Sequence, residues 1–158
     1  MNAAAPVLTI WYDASCPLCR IEMHALLRHA PDGSIALVDC SPPAFHDAAV
    51  DAAGFTRAGL MRLIHARDAG GNWLRGVAVF ERAYRLAGMN GVARAFGHPW
   101  LRPAWDRVYP WVARHRMALS RLGLNALYGW VIERAARRAA RRAKACAAGR
   151  CEVDSKRF

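Results

Sequence analysis

Short apolar runs alternate with amphipathic stretches over the first half of the chain. Residues 7–12 form a β-favouring run that ends at a turn-forming cluster, and residues 17–30 carry apolar side chains at helical spacing. The polar residues of this helix fall mostly on the opposite side: Arg20, Glu22, His24 and Arg28. The sequence Pro-Asp-Gly at 31–33 stops the helix, and residues 35–38 make a second short strand. This order predicts a right-handed βαβ unit with parallel strands.

The pattern continues with elements that complete a small α/β domain. Residues 44–53 are a helix candidate, and residues 60–66 alternate loosely as a third strand. The sequence Asp-Ala-Gly-Gly-Asn at 68–72 predicts a hairpin turn into a fourth strand at 73–76. Residues 77–86 then place apolar side chains on one helical face. The order β-α-β-α-β-β-α is that of the thioredoxin fold, so we predict the α/β class with a thioredoxin-like domain.

Beyond residue 88 the pattern is helical. Short helix candidates at 92–96, 100–107 and 109–122 are punctuated by Pro99, Pro103, Pro110 and Gly123 and are rich in aromatic residues. We expect these aromatics to pack a helical layer against the sheet rather than to stack on nucleic-acid bases. Residues 124–147 predict one long final helix. The expected organisation is a thioredoxin-like domain at 1–88, a helical extension at 89–123 and a basic helical tail at 124–158.

Two cysteines lie where the first strand gives way to the first helix. Pro17 occupies a position that the first helical turn tolerates, so Cys16 falls at the helix N-terminus, where the helix dipole stabilises a thiolate. Cys19 lies one turn further on the same face, near enough to attack a mixed disulfide at Cys16. The spacing therefore predicts an exposed Cys16 as the attacking thiolate and Cys19 as the resolving thiol.

A C-x-x-C pair is also typical of half a zinc site. A structural zinc needs two more ligands, and the later close pair, Cys146 and Cys151, lies in a charged tail. The six histidines show no metal spacing, so we favour dithiol redox chemistry, with no metal and no cofactor beyond an electron donor. Arg20 stands where covalent haem attachment needs a histidine, which disfavours that site.

Net charge divides the chain into two halves. The formal charge is +11, but residues 1–80 hold six Lys/Arg against seven Asp/Glu, whereas residues 81–158 hold seventeen against five. Helical spacing places five of the basic residues on one stripe of the final helix: Arg134, Arg137, Arg138, Arg141 and Arg142. This arginine stripe offers a rival function, a non-catalytic scaffold that binds nucleic acid, an anionic membrane surface or a protein partner. No nucleic-acid motif accompanies it, so a solvated or protein-docking face is favoured.

The remaining cysteines and the apolar stretches bear on location. No basic segment precedes the first apolar run, and the weakly charged stretch at 117–132 is too short to span a bilayer. We therefore expect a soluble cytoplasmic protein without a framework of structural disulfides. For Cys40 a buried inert thiol is favoured over a contact with the motif, and for Cys146 and Cys151 incidental thiols are favoured over a tail disulfide.

At Asp13, Cys16 and Cys19 the sequence resembles the DCC family of thiol-disulfide oxidoreductases, which is named for a D-x-x-C-x-x-C signature near the N-terminus. Segments at 61–80 and 99–116 also look like the family's later pattern, so the resemblance covers roughly residues 7–122. It implies a thioredoxin-like fold and disulfide exchange with a protein or small-molecule substrate.

The resemblance and the local chemistry leave several roles open. Asp13 either relays a proton to or from Cys19 or caps the turn. Pro17 pre-sets the helical φ and removes a competing N–H. For Arg20 a solvated position is favoured over stabilisation of the thiolate.

The sequence departs from the family pattern at Ala14, where members usually carry glycine, so this turn must avoid a positive φ or accept strain. No proline occupies residues 54–61, where thioredoxins place a cis-proline, so substrate docking must differ from theirs.

Overall fold

A mixed sheet forms the centre of the computed structural model, which describes residues 5–147 apart from the side chains of residues 124 and 125. Within that range the sheet has four strands: β1 (Leu8–Tyr12), β2 (Ile35–Asp39), β3 (His65–Asp68) and β4 (Trp73–Arg75). The strand order is β2-β1-β3-β4, with β1 parallel to β2 and β3 antiparallel to both of its neighbours. The predicted parallel βαβ pairing is confirmed, and the architecture is consistent with the predicted thioredoxin-like fold.

Helices surround this sheet. In the described residues they are α1 (Pro17–His29), α2 (Ala48–Ala52), α3 (Arg57–Arg62), α4 (Val77–Leu86), α5 (Asn90–Gly97), α6 (Arg102–Arg121) and α7 (Leu124–Ala147). The alternation of side chains along β1 divides the core between the two faces of the sheet. Leu8 and Ile10 belong to the main cluster with α1 and α4, whereas Trp11 belongs to a smaller cluster with Val50 and Leu60.

The third strand starts later than the sequence predicts. Residues 60–66 were expected to be a strand, but residues 57–62 form α3 and β3 begins at His65. Thr56 starts α3, because its Oγ1 accepts a hydrogen bond from the backbone N–H of Gly59 at 3.2 Å. The loose alternation around Leu60 reflects one buried position on a short helix, so the strand prediction was wrong there.

Proline does not divide the helical layer as expected. The candidates at 100–107 and 109–122 are one helix, α6, which continues through Pro110. Proline lacks the N–H that would bond to the carbonyl four residues earlier, so α6 tolerates one missing hydrogen bond instead of ending. The candidates at 77–86 and 124–147 are confirmed as α4 and α7, and α2 is shorter than the predicted 44–53.

Aromatic rings join the helical layer to the core. Phe96 on α5 lies 5.8 Å from Phe80 and 5.0 Å from Trp105 between ring centroids, as the packing prediction requires. The prediction was wrong for Trp100 and Trp111, which are 88% and 55% exposed.

Helix α7 packs along α1 and supplies Ile132 and Ala136 to the main core cluster. Its opposite side carries the arginine stripe, all five members of which are exposed. No helix within residues 5–147 is both long enough and apolar enough to cross a membrane. The division of the chain at residues 88 and 123 stays a prediction.

Candidate active site at the start of the first helix

Two carboxylates shape the turn between β1 and α1. Asp13 Oδ1 accepts hydrogen bonds from the Ser15 backbone N–H at 3.0 Å and from its hydroxyl at 2.5 Å. Asp39 lies beside this turn because β1 and β2 run in parallel and end together, and its Oδ1 accepts from the Ala14 N–H at 3.1 Å. None of the described non-glycine residues has a positive φ, so the turn accommodates Ala14 without that strain.

Cys16 is the N-cap residue of α1. Its backbone is extended, with φ −85° and ψ 114°, and its Sγ accepts a hydrogen bond from the Cys19 backbone N–H at 3.3 Å. Pro17 follows as the first helical residue, where its missing N–H costs no helical bond. The helix N-terminus therefore presents a donor directly to the Cys16 sulfur, as its predicted position requires.

The two thiols lie in contact. The Cys19 thiol donates to Cys16 Sγ, and the sulfurs are 2.7 Å apart. A disulfide bond is about 2.05 Å long, so a movement of less than about 1 Å would bring the sulfurs to bonding distance. The expected exposure is wrong for Cys16, which has no exposed surface, whereas Cys19 is partly exposed. As the N-cap, Cys16 turns its sulfur back towards the first turn of α1 rather than towards solvent.

This contact separates the proton affinities of the two thiols. The hydrogen bond from the Cys19 thiol lowers the pKa of Cys16 to about 6, against the opposing effect of burial. The Cys19 backbone N–H and the charge of Arg116 act in the same direction, whereas Asp13 opposes them. The pKa of Cys19 is raised, first because its proton is held by Cys16 and then because the thiol is buried. These opposite shifts favour the thiolate form at Cys16 and the protonated form at Cys19.

Arg116 brings a positive charge to the motif from α6. Its Nη2 forms a 2.5 Å ion pair with Asp13 Oδ2, across 103 residues of sequence. Its Nη1 donates to the backbone carbonyls of Met61 at 2.7 Å and Ala113 at 3.2 Å. Sequence reasoning gave Arg116 no role; its only signal was its place in the 99–116 segment that resembles the DCC pattern.

Glu22 is a second group that sequence reasoning missed. The helical pattern placed it on the solvent side of α1, but it is buried. Its Oε1 accepts hydrogen bonds from the hydroxyls of Tyr84, at 2.9 Å, and Tyr128. Burial raises the pKa of Glu22 from 4.5 to about 7, and the two tyrosine hydroxyls only partly oppose this rise. No local pattern reveals the burial, because α4 and α7 cover Glu22 from distant parts of the chain.

A small cavity connects these groups. Its volume is about 70 Å³, and its lining includes Cys19, Glu22, Arg116 and Tyr109. The Tyr109 hydroxyl accepts a hydrogen bond from the backbone N–H of Ile64 at 3.3 Å, just before β3. That N–H is therefore engaged within the chain, in the region where thioredoxins place their cis-proline.

The other predicted residues lie apart from this chemistry. Arg20 is exposed in the first turn of α1, in agreement with the solvated interpretation. Cys40 is fully buried and donates its S–H to the Tyr12 carbonyl at 3.1 Å, and burial raises its pKa to about 11, which favours an inert thiol. Cys146, near the end of α7, is disulfide-bonded, so the interpretation as an incidental thiol is wrong for it, and Cys151 is outside the described residues. Across residues 5–147, no three His, Cys, Asp or Glu side chains cluster as metal ligands.

Comparison with known proteins places this site in a family. The family model described as DCC1-like thiol-disulfide oxidoreductase matches residues 10–122, which include the turn, both cysteines and Arg116. An uncharacterised chloroplastic protein of Arabidopsis thaliana is 31% identical over 110 residues, which cover 69% of this chain and 50% of that protein. The chain thus aligns with about half the length of this relative. No solved structure matches the chain. Because the family model covers most of the chain and includes the dithiol, the protein belongs to the DCC1-like thiol-disulfide oxidoreductase family.

Proposed function

We propose that this protein exchanges disulfides through Cys16 and Cys19, with Cys16 as the attacking thiolate and Cys19 as the resolving thiol. The observation that carries the proposal is the 2.7 Å contact in which the Cys19 thiol donates to Cys16 Sγ. That contact supplies an anion for attack and keeps the second sulfur protonated beside it. Family membership supports the same general activity.

The reaction balances as two exchanges. The Cys16 thiolate attacks a substrate disulfide, forms a mixed disulfide and releases one substrate thiolate. Cys19 then loses its proton and attacks the Cys16 sulfur, which closes the Cys16–Cys19 disulfide and releases the second substrate thiolate. The dithiol gives up two electrons and the substrate accepts them, so turnover needs a thiol reductant that restores the pair. Because Cys16 has no exposed surface, attack also requires a movement that uncovers its sulfur.

Glu22 is better placed than Asp13 to take the proton of Cys19. Both Asp13 oxygens are engaged, one by Ser15 and the other by Arg116. Glu22 shares the 70 Å³ cavity with Cys19, and that volume has room for a bridging water. A carboxyl with a pKa of about 7 also accepts and releases a proton readily near neutral pH. Asp13 instead holds the turn and anchors Arg116.

Serine substitution tests the two cysteine roles. Cys16→Ser should abolish dithiothreitol-driven reduction of bis(2-hydroxyethyl) disulfide, because no thiolate remains to attack. Cys19→Ser should accumulate a one-to-one mixed disulfide at Cys16, visible by intact-protein mass spectrometry. Cys40→Ala is the matched control and should keep wild-type turnover, because that thiol is fully buried and donates to the Tyr12 carbonyl rather than to either cysteine of the motif. Full activity in Cys16→Ser would refute the proposal.

The role of Glu22 has its own kinetic readout. Reduced protein mixed with 5,5′-dithiobis(2-nitrobenzoate) should release one chromophore as Cys16 attacks and a second as Cys19 resolves. In the wild type the second phase should depend on an ionisation near pH 7. Glu22→Gln should slow that phase and remove this dependence while leaving the first phase unchanged. Tyr128→Phe should shift the ionisation to higher pH, because that hydroxyl lowers the pKa of Glu22. An unaltered second phase in Glu22→Gln would exclude this role.

The rival function, an anionic partner for the arginine stripe, needs a different test. Removal of α7 is unsuitable, because Ile132 and Ala136 belong to the core and Tyr128 contacts Glu22. Replacement of the five stripe arginines by glutamine preserves that packing, because all five are exposed. Loss of binding to anionic vesicles or RNA, with disulfide exchange intact, would support a separate role for the stripe. The cytoplasmic location stays a prediction, and the Arabidopsis relative is described as chloroplastic.

A further inference from the structure

A second, larger cleft shares Ala113 and Arg116 with the cavity that contains Cys19. Its volume is about 710 Å³, and it is bordered by α3, the starting residue of β3, the end of β4 and the middle of α6. Four arginines line it: Arg62, Arg75, Arg114 and Arg116. Its described lining contains no Asp or Glu. We call this feature the arginine cleft.

Most of this positive charge lacks a carboxylate partner. Arg62, Arg75 and Arg114 are exposed, and none of them takes part in an ion pair between described residues. Arg75 lies over the Phe55 ring, 5.8 Å from its centroid, which orients the guanidinium without neutralising it. Several guanidinium groups around one concavity attract anions, and their planar donors match carboxylates.

The cleft also offers apolar contacts, which come from Phe55, Met61 and Met117. Small-molecule sites typically measure about 300–1,000 Å³ and combine apolar walls with a few polar groups. The volume and the mixed lining therefore favour a small ligand that combines carboxylates with less polar groups.

Arg116 connects the arginine cleft to the redox site. It lines this cleft and also the 70 Å³ cavity that contains Cys19. Its Nη1 donates to the carbonyl of Met61 on the cleft side, and its Nη2 pairs with Asp13 in the turn before Cys16. A ligand seated in the cleft would therefore lie against a residue that contacts the active-site turn.

We propose that the arginine cleft binds the carboxylates of a small peptide disulfide and so selects anionic disulfides as substrates of the Cys16–Cys19 pair. This inference rests on the proposed function and deepens it. The bound disulfide would accept the two electrons of the dithiol and leave as two thiols, while the protein becomes the Cys16–Cys19 disulfide.

Substrate charge provides the first test. Pre-reduced protein should reduce glutathione disulfide, which carries four carboxylates, faster than neutral bis(2-hydroxyethyl) disulfide. The preference should shrink as salt rises from about 0.01 M to about 1 M, because screening weakens exposed charges. Equal rates for the two disulfides, or a preference that salt does not change, would overturn the proposal.

Arginine variants test whether the arginine cleft causes the preference for the anionic disulfide. Arg62→Gln and Arg114→Gln should each lower the rate with glutathione disulfide by about threefold to fivefold and leave the neutral disulfide unaffected. Arg94→Gln is the matched control, because Arg94 is exposed on α5 and does not line the cleft. Equal losses with both substrates, or the same loss in the control, would contradict selection by the cleft.

A binding measurement separates this inference from the catalytic proposal. S-methylglutathione carries the carboxylates but has no reactive sulfur. Titration calorimetry with the Cys16→Ser protein should show binding that weakens in Arg62→Gln and Arg114→Gln backgrounds. Binding without disulfide exchange by the wild type would refute the catalytic proposal and retain an anion site. Disulfide exchange without binding of S-methylglutathione would refute anion binding by the arginine cleft and leave the catalytic proposal standing.

Discussion

The pKa of Cys16 should depend on the side chain at position 19. Cys19→Ala removes the thiol whose hydrogen bond contributes most to lowering the pKa of Cys16 to about 6. Cys19→Ser keeps an O–H donor in the same place. The alanine variant should therefore titrate at clearly higher pH than the wild type, and the serine variant should remain closer to it.

The magnitude follows from the energy of that hydrogen bond. A hydrogen bond to a charged group contributes about 1.5–3 kcal/mol, and one pKa unit corresponds to about 1.4 kcal/mol. Loss of the Cys19 thiol should thus raise the pKa of Cys16 by about 1–2 units. At pH 7 a pKa of about 6 leaves roughly 90% of Cys16 as thiolate, against roughly 3% for a free cysteine at about 8.5.

Ultraviolet absorbance of the thiolate against pH measures this ionisation without requiring a reagent to reach a buried sulfur. Each profile is corrected by subtracting that of the same protein carrying Cys16→Ser, which removes the contribution of the other cysteines. Equal shifts in Cys19→Ala and Cys19→Ser would show that the hydrogen bond is not the cause. A wild-type midpoint at or above about 8.5 would argue for an inert scaffold.

Stability measurements test three further parts of the site. Glu22 binds its proton more tightly in the folded protein than in the unfolded chain. The free energy of unfolding of the wild type should therefore fall by about 3 kcal/mol relative to that of Glu22→Gln as pH rises from 4.5 to about 7. If urea unfolding gave the same pH dependence for both proteins, the buried carboxyl would be contradicted. Asp13→Asn should lower the free energy of unfolding by about 3 kcal/mol, because it leaves the Arg116 charge unpaired. It should also lower the pKa of Cys16, whereas Arg116→Gln should raise that pKa. Shifts of the same sign in the two variants would show that these charges do not set the pKa of Cys16. Thr56→Ala should cost about 1 kcal/mol by uncapping α3 and leave the Cys16 titration unchanged, which urea unfolding and absorbance can check.

The position of the two cysteines at the end of β1 and the start of α1 could be predicted because local sequence determines it. Pro17 at the first helical position and the turn formers before Cys16 mark the strand-to-helix corner in the local sequence. The same local logic predicted α4 and the β3–β4 hairpin. Around Leu60 it was wrong, because a single Thr56 cap started a helix that periodicity alone did not separate from a strand.

Residues brought together by tertiary packing were not predictable in the same way. Arg116 reaches Asp13 from 103 residues away. Glu22 looks like a solvent-facing helical residue until α4 and α7 supply Tyr84 and Tyr128 over it. The exposure of Cys16 also depends on the finished structure, because helical phase gives its place on α1 and not the depth of its sulfur.

The position of Tyr128 has a consequence for how this protein should be dissected. The family match ends at residue 122, yet one of the two hydroxyls that bond to Glu22 comes from Tyr128 on α7, beyond that limit. A fragment cut at the family boundary would retain both thiols but carry a carboxyl of altered acidity beneath them. Exchange rates measured on such a fragment would reflect a dithiol beside a carboxyl of different pKa. Helix α7 therefore belongs in any preparation used to study the chemistry of Cys16 and Cys19.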